Sequence, residues 1–428
     1  MNAARLDNEN GAKRILRALR HRNYRLFFGG QSISLVGTWL TRVAISWLVY
    51  RLTKSALLLG VLGFAGQIPT FLLAPLAGVL VDRWNRHRIL VITQIPAMLQ
   101  SFMLAALALT GVIAVWHVLL LSIFQGTINA FDTPARQSFV VEMVENKEDL
   151  PNAIALNSSM VNAGRLLGPS VAGILIAAVG EGLCFLLDGI SYLAVIASLL
   201  AMRVSPKTGR ASRLQVLQEL REGIRYAIGF APIRAVLLLL ALISLTGMPY
   251  IVLMPIFAAD ILHGGAHALG FLTAASGMGA LAGAVFLAMR KNALGLGKLM
   301  ASSATLFGLG LIAFAWSRLF VLSLLLLFLT GLGMMVQIAA SNTVLQTIVD
   351  DDKRGRVMSF YTMALLGMAP FGSLFAGSLA SKIGAPMTIM IGGIACVLGA
   401  WVFARKLPAL REMVRPIYVR LGVIPEVT

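Results

Sequence analysis

The sequence predicts an all-α polytopic membrane protein with twelve transmembrane helices in two pseudo-symmetric six-helix bundles. Three observations carry that prediction. The first is composition: 58% of the 428 residues are hydrophobic and only 13% are charged, with a mean hydropathy of +0.83, a balance foreign to soluble chains of this length. The second is run length, since the apolar segments reach the roughly 20 residues that a helix needs to cross a bilayer. The third is charge distribution. With the N-terminus placed in the cytoplasm, 30 of the 36 Lys and Arg fall on that face, and only Arg51, Lys54, Arg318 and Lys382 on the other. A wrong helix count would scramble such a split, because positive charge stays on the cytoplasmic side. Both termini are therefore expected inside.

Residues 1–25 set Lys13, Arg14, Arg17, Arg20, Arg22 and Arg25 among Ile15, Leu16 and Leu19. That pattern reads as a basic helix on an anionic membrane surface, and it lacks the apolar core and cleavage site of a signal peptide. Spans are expected near 26–50, 56–80, 89–110, 115–135, 152–178 and 182–203, forming a first bundle over 26–203. A second bundle over 233–406 comes from 233–259, 267–289, 297–316, 319–342, 357–381 and 386–405, followed by a cytoplasmic tail over 407–428. The linker over 204–232 opens with the turn-rich Ser205-Pro206-Lys207-Thr208-Gly209-Arg210. It then places Leu214, Leu217, Leu220, Ile224 and Ile228 at helical spacing, as in an amphipathic surface helix. An internal repeat supports two halves. Gly126 and Val144 match Gly331 and Val349 at an offset of 205, and Gly168, Ala172, Gly173 and Gly180 match Gly372, Ala376, Gly377 and Gly384 at 204.

The stretch Gly78–Arg88 is a charge-dense hairpin between two charge-free runs, so it belongs in water at a membrane face. Gly78 is expected to let two helix backbones approach closely, and Asp82 is the lone acid in a basic cluster. Three charges fall well inside spans, away from their ends: Arg42, Arg165 and Asp188. A charge at that depth is costly, so each should face the bundle interior or a wet cavity with a partner. Two cations and one acid leave a site of positive character, suited to a polar or anionic small molecule or to a structural ion pair. The net charge of +18 lies in short loops between apolar runs, which argues against nucleic acid. Cys184 and Cys396 fall within apolar segments, so no disulfide framework is implied. No metal-ligand cluster, nucleophile–base pair or phosphate-binding Gly-rich loop occurs, so no cofactor is expected and ATP drive is not indicated.

The hairpin resembles the loop between helices 2 and 3 of the major facilitator superfamily, with Gly78, Asp82, Arg83, Arg86 and the basic pair His87/Arg88 in register. Asn85 stands where that family usually has Gly, and it tolerates the same left-handed turn. Gly164-Arg165-Leu166-Leu167-Gly168-Pro169-Ser170-Val171-Ala172-Gly173 resembles the fifth-helix string of the exporting branches, Ala172 replacing one Gly. Three further stretches are similar to the enterobactin-exporter-like group: Thr38–Tyr50, Asn129–Gln137 and Arg354–Ser359. The match spans roughly residues 20 to 406.

The resemblance implies the major facilitator fold, a monomer in the bacterial inner membrane, and transport rather than catalysis. It also implies a conformational latch in which Arg86 pairs with Asp132, near Arg136, while Asp82 approaches the eleventh helix near Arg356. The family pathway runs between helices 1, 4, 7 and 10. That makes Gln31, Ser34, Thr38, Arg42, Thr127, Asn129, Thr246, Tyr250 and Gln337 its expected lining. Gln337 occupies in the second half the place of Asp132 in the first.

The function expected is export of small organic or amphiphilic molecules, drug- or siderophore-like, in exchange for protons, with membrane lipids as surroundings. A lipid or lysophospholipid flippase is the alternative within transport, and a non-transporting receptor or a polytopic membrane enzyme the alternatives outside it. Proton coupling needs a group whose charge changes as the cavity alternates. Asp132 is expected to be that group, tuned by Arg136 or Arg86, and Asp188 is expected to neutralise a buried Arg.

Overall fold

The computed structural model describes residues 16–204, 225–226, 228–290, 294–350 and 353–420. Most of the expected basic N-terminal segment, the amphipathic part of the linker and the end of the tail lie outside these residues. The described chain is helical throughout: α1 Arg22–Thr53, α2 Ala56–Arg83, α3 Arg86–Leu109, α4 Val115–Met143, α5 Leu150–Leu200, α6 Ala231–Ile261, α7 Gly265–Ala288, α8 Leu296–Trp316, α9 Phe320–Ile348, α10 Arg354–Ile383 and α11 Ala385–Arg420. Among the described residues, ten helices are long and apolar enough to cross a membrane. That falls short of twelve for two reasons. The fifth and sixth expected spans run on as the single 51-residue α5, and α4, with Gln125, Asn129, Asp132 and Arg136, is too polar to qualify.

Glycine marks the joins within each half. Inside α5 the backbone breaks at Gly180, with φ 82° and ψ 171°. Gly384, between α10 and α11, has φ 85° and ψ 156°. Only glycine adopts these left-handed dihedrals without strain, and the two positions are 204 residues apart, as in the repeat.

The chain separates into two compact units. One holds the chain up to Leu52 together with Ala65–Ser212; the other holds Thr53–Phe64 with Arg213–Thr428. The first turns of α2 belong to the second unit because Gly60 meets Gly377 there at backbone contact. Phe64 lies edge-on to Phe371 at 6.0 Å and Lys54 pairs with Asp260 at 3.2 Å.

Each unit is built on a close helix crossing. A Cβ on Gly126 of α4 would lie 2.5 Å from the Gly66 carbonyl of α2, and one on Gly331 of α9 would lie 1.9 Å from the Ser276 carbonyl of α7. Small residues at such crossings let dispersion contacts form along the helices, the main attraction between helices in lipid. Gly78 behaves otherwise: a Cβ there would meet nothing within 4 Å. The close approach expected at that position is absent. In the second unit, α6 and α10 contain π-helical turns at Ile243–Gly247, Phe257–Ile261 and Met363–Gly367. Prolines 249, 255 and 370 each remove an N–H from the helical ladder nearby. Ser244 joins two of the turns by donating to the Leu365 carbonyl at 2.5 Å.

Among the described residues, no separate surface helix precedes α1. A 3₁₀ turn at Arg17–Arg20 leads directly into α1, which takes in Arg22 and Arg25. The turn is pinned by Asp149, which accepts from His21 at 2.8 Å and from the Arg17 guanidinium. The Ala18 amide donates to Asn152 at 2.9 Å, and Tyr24 donates to the Ala153 carbonyl at 2.7 Å. Tyr24, Phe27, Phe139 and Met143 form the core beneath. At the other end, α11 continues as helix to Arg420, well past the expected end of the last span.

Two outcomes follow. Gly331→Val should cost about 1–3 kcal/mol through overpacking and lower the thermal unfolding midpoint, whereas Gly78→Ala should leave it unchanged. The hydrogen bonds from His21 and then Arg17 hold the Asp149 carboxyl below the usual carboxylate range. A depressed folded-state value means stability that is present above the unfolded value and lost as pH falls through the folded one. Amide hydrogen exchange at residues 16–24 should therefore stay slow at neutral pH and accelerate only below the ordinary Asp range. In Asp149→Asn it should be fast throughout.

Candidate functional site

Two buried polar layers lie in the first unit, both organised by α3. Along this helix Thr93 and Gln94 recur seven residues later as Gln100 and Ser101, two turns apart on one face, and all four are buried. The first pair meets Asp132 of α4. Thr93 donates to its Oδ1 at 3.0 Å and Gln94 at 2.7 Å, while Arg136, one turn further along α4, grips Oδ2. The same guanidinium donates to the Gln31 Oε1 of α1. Asp132 is thus met by one guanidinium and two neutral donors.

Ser101 of the second pair meets Asp188, 2% exposed, on the half of α5 beyond Gly180. Ser101 donates to its Oδ2 at 2.9 Å and Thr41 of α1 donates at 2.7 Å. Its Oδ1 has no partner among the described residues, and no ion pair forms there. Gly37 makes room for it, since a Cβ at that position would lie 2.5 Å from this Oδ1. Asp188 was expected to neutralise a buried arginine, and it does not. Arg42 stacks over Trp39 at 4.9 Å, and Arg165 lies close enough for the two cations to repel. Hydroxyl groups, rather than a guanidinium, meet the carboxylate.

The hairpin also differs from expectation. Asn85 is extended, with φ −66° and ψ 113°, and caps α3 by accepting the Arg88 amide at 3.0 Å; it is not a left-handed turn. Arg86 pairs with Glu142 at 2.7 Å, three turns beyond Asp132 on α4. His87 bonds the Leu199 carbonyl at 2.8 Å. Arg83 is exposed at the end of α2, the side chain of Asp82 lies outside the described part, and Arg356 sits half-buried in the first turn of α10.

Other expected residues scatter by role. Gly164 and Gly168 press onto Leu35 and Trp39, where a Cβ would clash; Pro169 and Gly173 are buried beside them. Thr38, Thr127 and Thr246 bond back to carbonyls of Ser34, Ile123 and Leu242 in their own helices. Asn129 accepts from Gln125 at 3.1 Å. Tyr250 is buried with its hydroxyl 2.6 Å from Ser276 Oγ, and Gln337 is buried and donates to Ser341 at 3.2 Å. That last pair repeats Asp132–Arg136 at the offset of 205, without the charges.

The sequence reading missed Thr41, Thr93, Gln94, Ser101 and Glu142. The signal for α3 was present as two polar pairs seven apart in an apolar helix, but without a fold it points at no partner. Among the described residues no group of three or more His, Cys, Asp or Glu could hold a metal ion.

This helical fold has counterparts among known proteins. Residues 15–416 match the family model described as transmembrane secretion effector. The chain belongs to that family. It is a transporter of the major facilitator superfamily, not an enzyme. The Staphyloferrin A transporter of Staphylococcus aureus is 26% identical to it over 380 residues, covering 88% of this chain and 94% of that one. The multidrug efflux pump Tap of Mycolicibacterium fortuitum is 27% identical over 396 residues, covering 88% and 93%. A crystal structure of a peptide transporter POT superposes with a TM-score of 0.72 at 13% identity, covering 91% and 95%. The fold of the transporter is therefore shared beyond recognisable sequence.

A double-mutant cycle separates the observed pairing from the expected one. Arg86→Gln with Glu142→Gln should show a coupling of about 1 kcal/mol in unfolding free energy. Arg86→Gln with Asp132→Asn should be additive.

Proposed function

We propose that the transporter exports small amphiphilic organic molecules across the bacterial inner membrane, by alternating access and in exchange for protons. Asp188 is the observation that carries this reading. Among the described residues it is an acid buried between helices, bonded only by hydroxyls and without a cation, so a proton is the counter-charge its site lacks. Asp132, held by Arg136, Thr93 and Gln94, suits a fixed structural anion. We therefore assign coupling to Asp188 in place of Asp132. Arg42 and Arg165, two cations on α1 and α5, favour a substrate with anionic or strongly polar groups.

Twelve spans follow if α5 counts as two, broken at Gly180, and α4 is included. The 29 residues of α4 reach about 44 Å, ample for a hydrocarbon core of about 30 Å. The 30-to-4 charge split supports cytoplasmic termini. Gly78, Asp82, Arg83, Arg86 and Arg356 remain the proposed latch, with Glu142 as the partner of Arg86. Ser34, Thr38, Arg42, Thr127, Asn129 and Thr246 are the proposed pathway lining, and the similarity to efflux proteins supports the outward direction.

Proteoliposomes carrying an imposed pH gradient test the reading against a panel of carboxylate siderophores and macrolides. Wild type should concentrate at least one of them. Asp188→Asn should lose uphill accumulation while keeping substrate-for-substrate exchange. Asp132→Asn should chiefly lower the yield of folded protein, because Arg136 loses its counter-ion. Undiminished accumulation by Asp188→Asn would place the proton on another group.

A further inference from the structure

A cavity of about 500 Å³ opens at the terminal end of the second unit. Its walls come from α6, the first turn of α8, the end of α9 and the long extension of α11. The floor is apolar, with Val236, Met300, Phe403 and Val414 all buried. Its rim is cationic: Lys298, Arg411 and Arg415 line it, all exposed, against the single acid Glu412. None of these three cations forms an ion pair among the described residues. Volumes of this size hold small ligands. An apolar floor under a basic rim fits a molecule with a hydrocarbon chain and an anionic head.

Why the last helix continues beyond the expected span is answered by the same residues. Leu407, Leu410, Val414 and Tyr418 recur at helical spacing and line the cavity, and Gly297 of α8 admits Leu407, which would lie 2.6 Å from a Cβ there. Arg405, Lys406, Arg411, Arg415 and Arg420 leave the extension strongly basic. Arg405 lies over the exposed Trp401 ring at 4.2 Å. A Trp–Arg pair of this kind marks the level where acyl chains meet headgroups. The extension starts there and continues outward, so its basic residues lie at headgroup depth.

We infer that this cavity is a binding site for an anionic phospholipid of the cytoplasmic leaflet. An acyl chain enters the floor and the phosphate meets Lys298, Arg411 and Arg415, as basic pockets between transmembrane helices bind acidic headgroups. A free phosphate would leave the apolar floor empty, and a zwitterionic lipid would bring its own cation against the rim. The leaflet, but not the lipid chemistry, rests on the cytoplasmic termini proposed above.

Native mass spectrometry of the purified full-length protein, delipidated in detergent and titrated with phosphatidylglycerol, phosphatidylcholine, oleate or inorganic phosphate, tests the site. Phosphatidylglycerol should be retained about tenfold more tightly than phosphatidylcholine. Arg411→Gln with Arg415→Gln should remove that preference, and Lys298→Gln alone should weaken it. Arg405→Gln with Arg420→Gln, equal in charge but off the cavity, should preserve it. Equal retention of the two lipids would overturn the inference, as would equal sensitivity to the off-cavity pair. So would displacement of phosphatidylglycerol by oleate or phosphate at matched concentration. The substituted residues are exposed, and unchanged elution and unfolding midpoint in lipid-free detergent establish that the variants fold. Labelling of Met413→Cys in sealed, right-side-out vesicles reads the leaflet separately. Reaction from outside would refute the cytoplasmic leaflet while leaving lipid selectivity in detergent intact.

Discussion

An acid inside an apolar helical bundle must be met by donors, a counter-ion or a proton, and the first unit is arranged around that requirement. Asp132 and Asp188 are both nearly inaccessible, and both face α3. The seven-residue repeat of polar pairs on α3 supplies each with a hydroxyl or amide, while α1 contributes Gln31 at one level and Thr41 at the other. What differs is charge. Arg136 completes the shell of Asp132 with a cation. Among the described residues, the shell of Asp188 holds hydroxyls alone and leaves one oxygen unpartnered. Two acids in one bundle thus receive different partners, and the proposed division between a structural acid and a proton-exchanging one rests on this.

The second unit shows what the same scaffold looks like without the charges. Gly126 and Gly331 make equivalent crossings, and Gly180 and Gly384 break the chain with nearly the same dihedrals. Gln337 and Ser341 take the positions of Asp132 and Arg136. Packing is therefore duplicated, while among the described residues the buried acids all lie in the first half. The second half also gathers cations from α8 and the end of α11 around an apolar cavity. Separate layers of one architecture thereby serve separate polar tasks.

Much of the helical architecture was legible because apolar run length and glycine spacing are local properties. The offsets of 204 and 205 identified the very glycines that turn out to make the crossings and breaks. Pairing was not legible. Arg86 was expected at Asp132 but reaches Glu142, because the hairpin continues straight into α3 with Asn85 as a cap instead of turning left-handed. Asp188 was expected beside an arginine, yet Arg42 turns onto the Trp39 face on its own helix. Which side of a helix a long side chain favours depends on neighbours from distant segments, and an apolar sequence carries little record of them. The extension of α11 escaped notice for a related reason. Its apolar stripe is interrupted by arginines and prolines, and only the cavity it covers explains it.

The central claim is that Asp188, not Asp132, is the group that changes charge. Difference infrared spectroscopy of the protein in lipid, stepped through the pH range that supports transport, reads carboxyl protonation directly. The account predicts a protonated-carboxyl band that Asp188→Asn abolishes and Asp132→Asn retains. A band that survives in Asp188→Asn and vanishes in Asp132→Asn would contradict it.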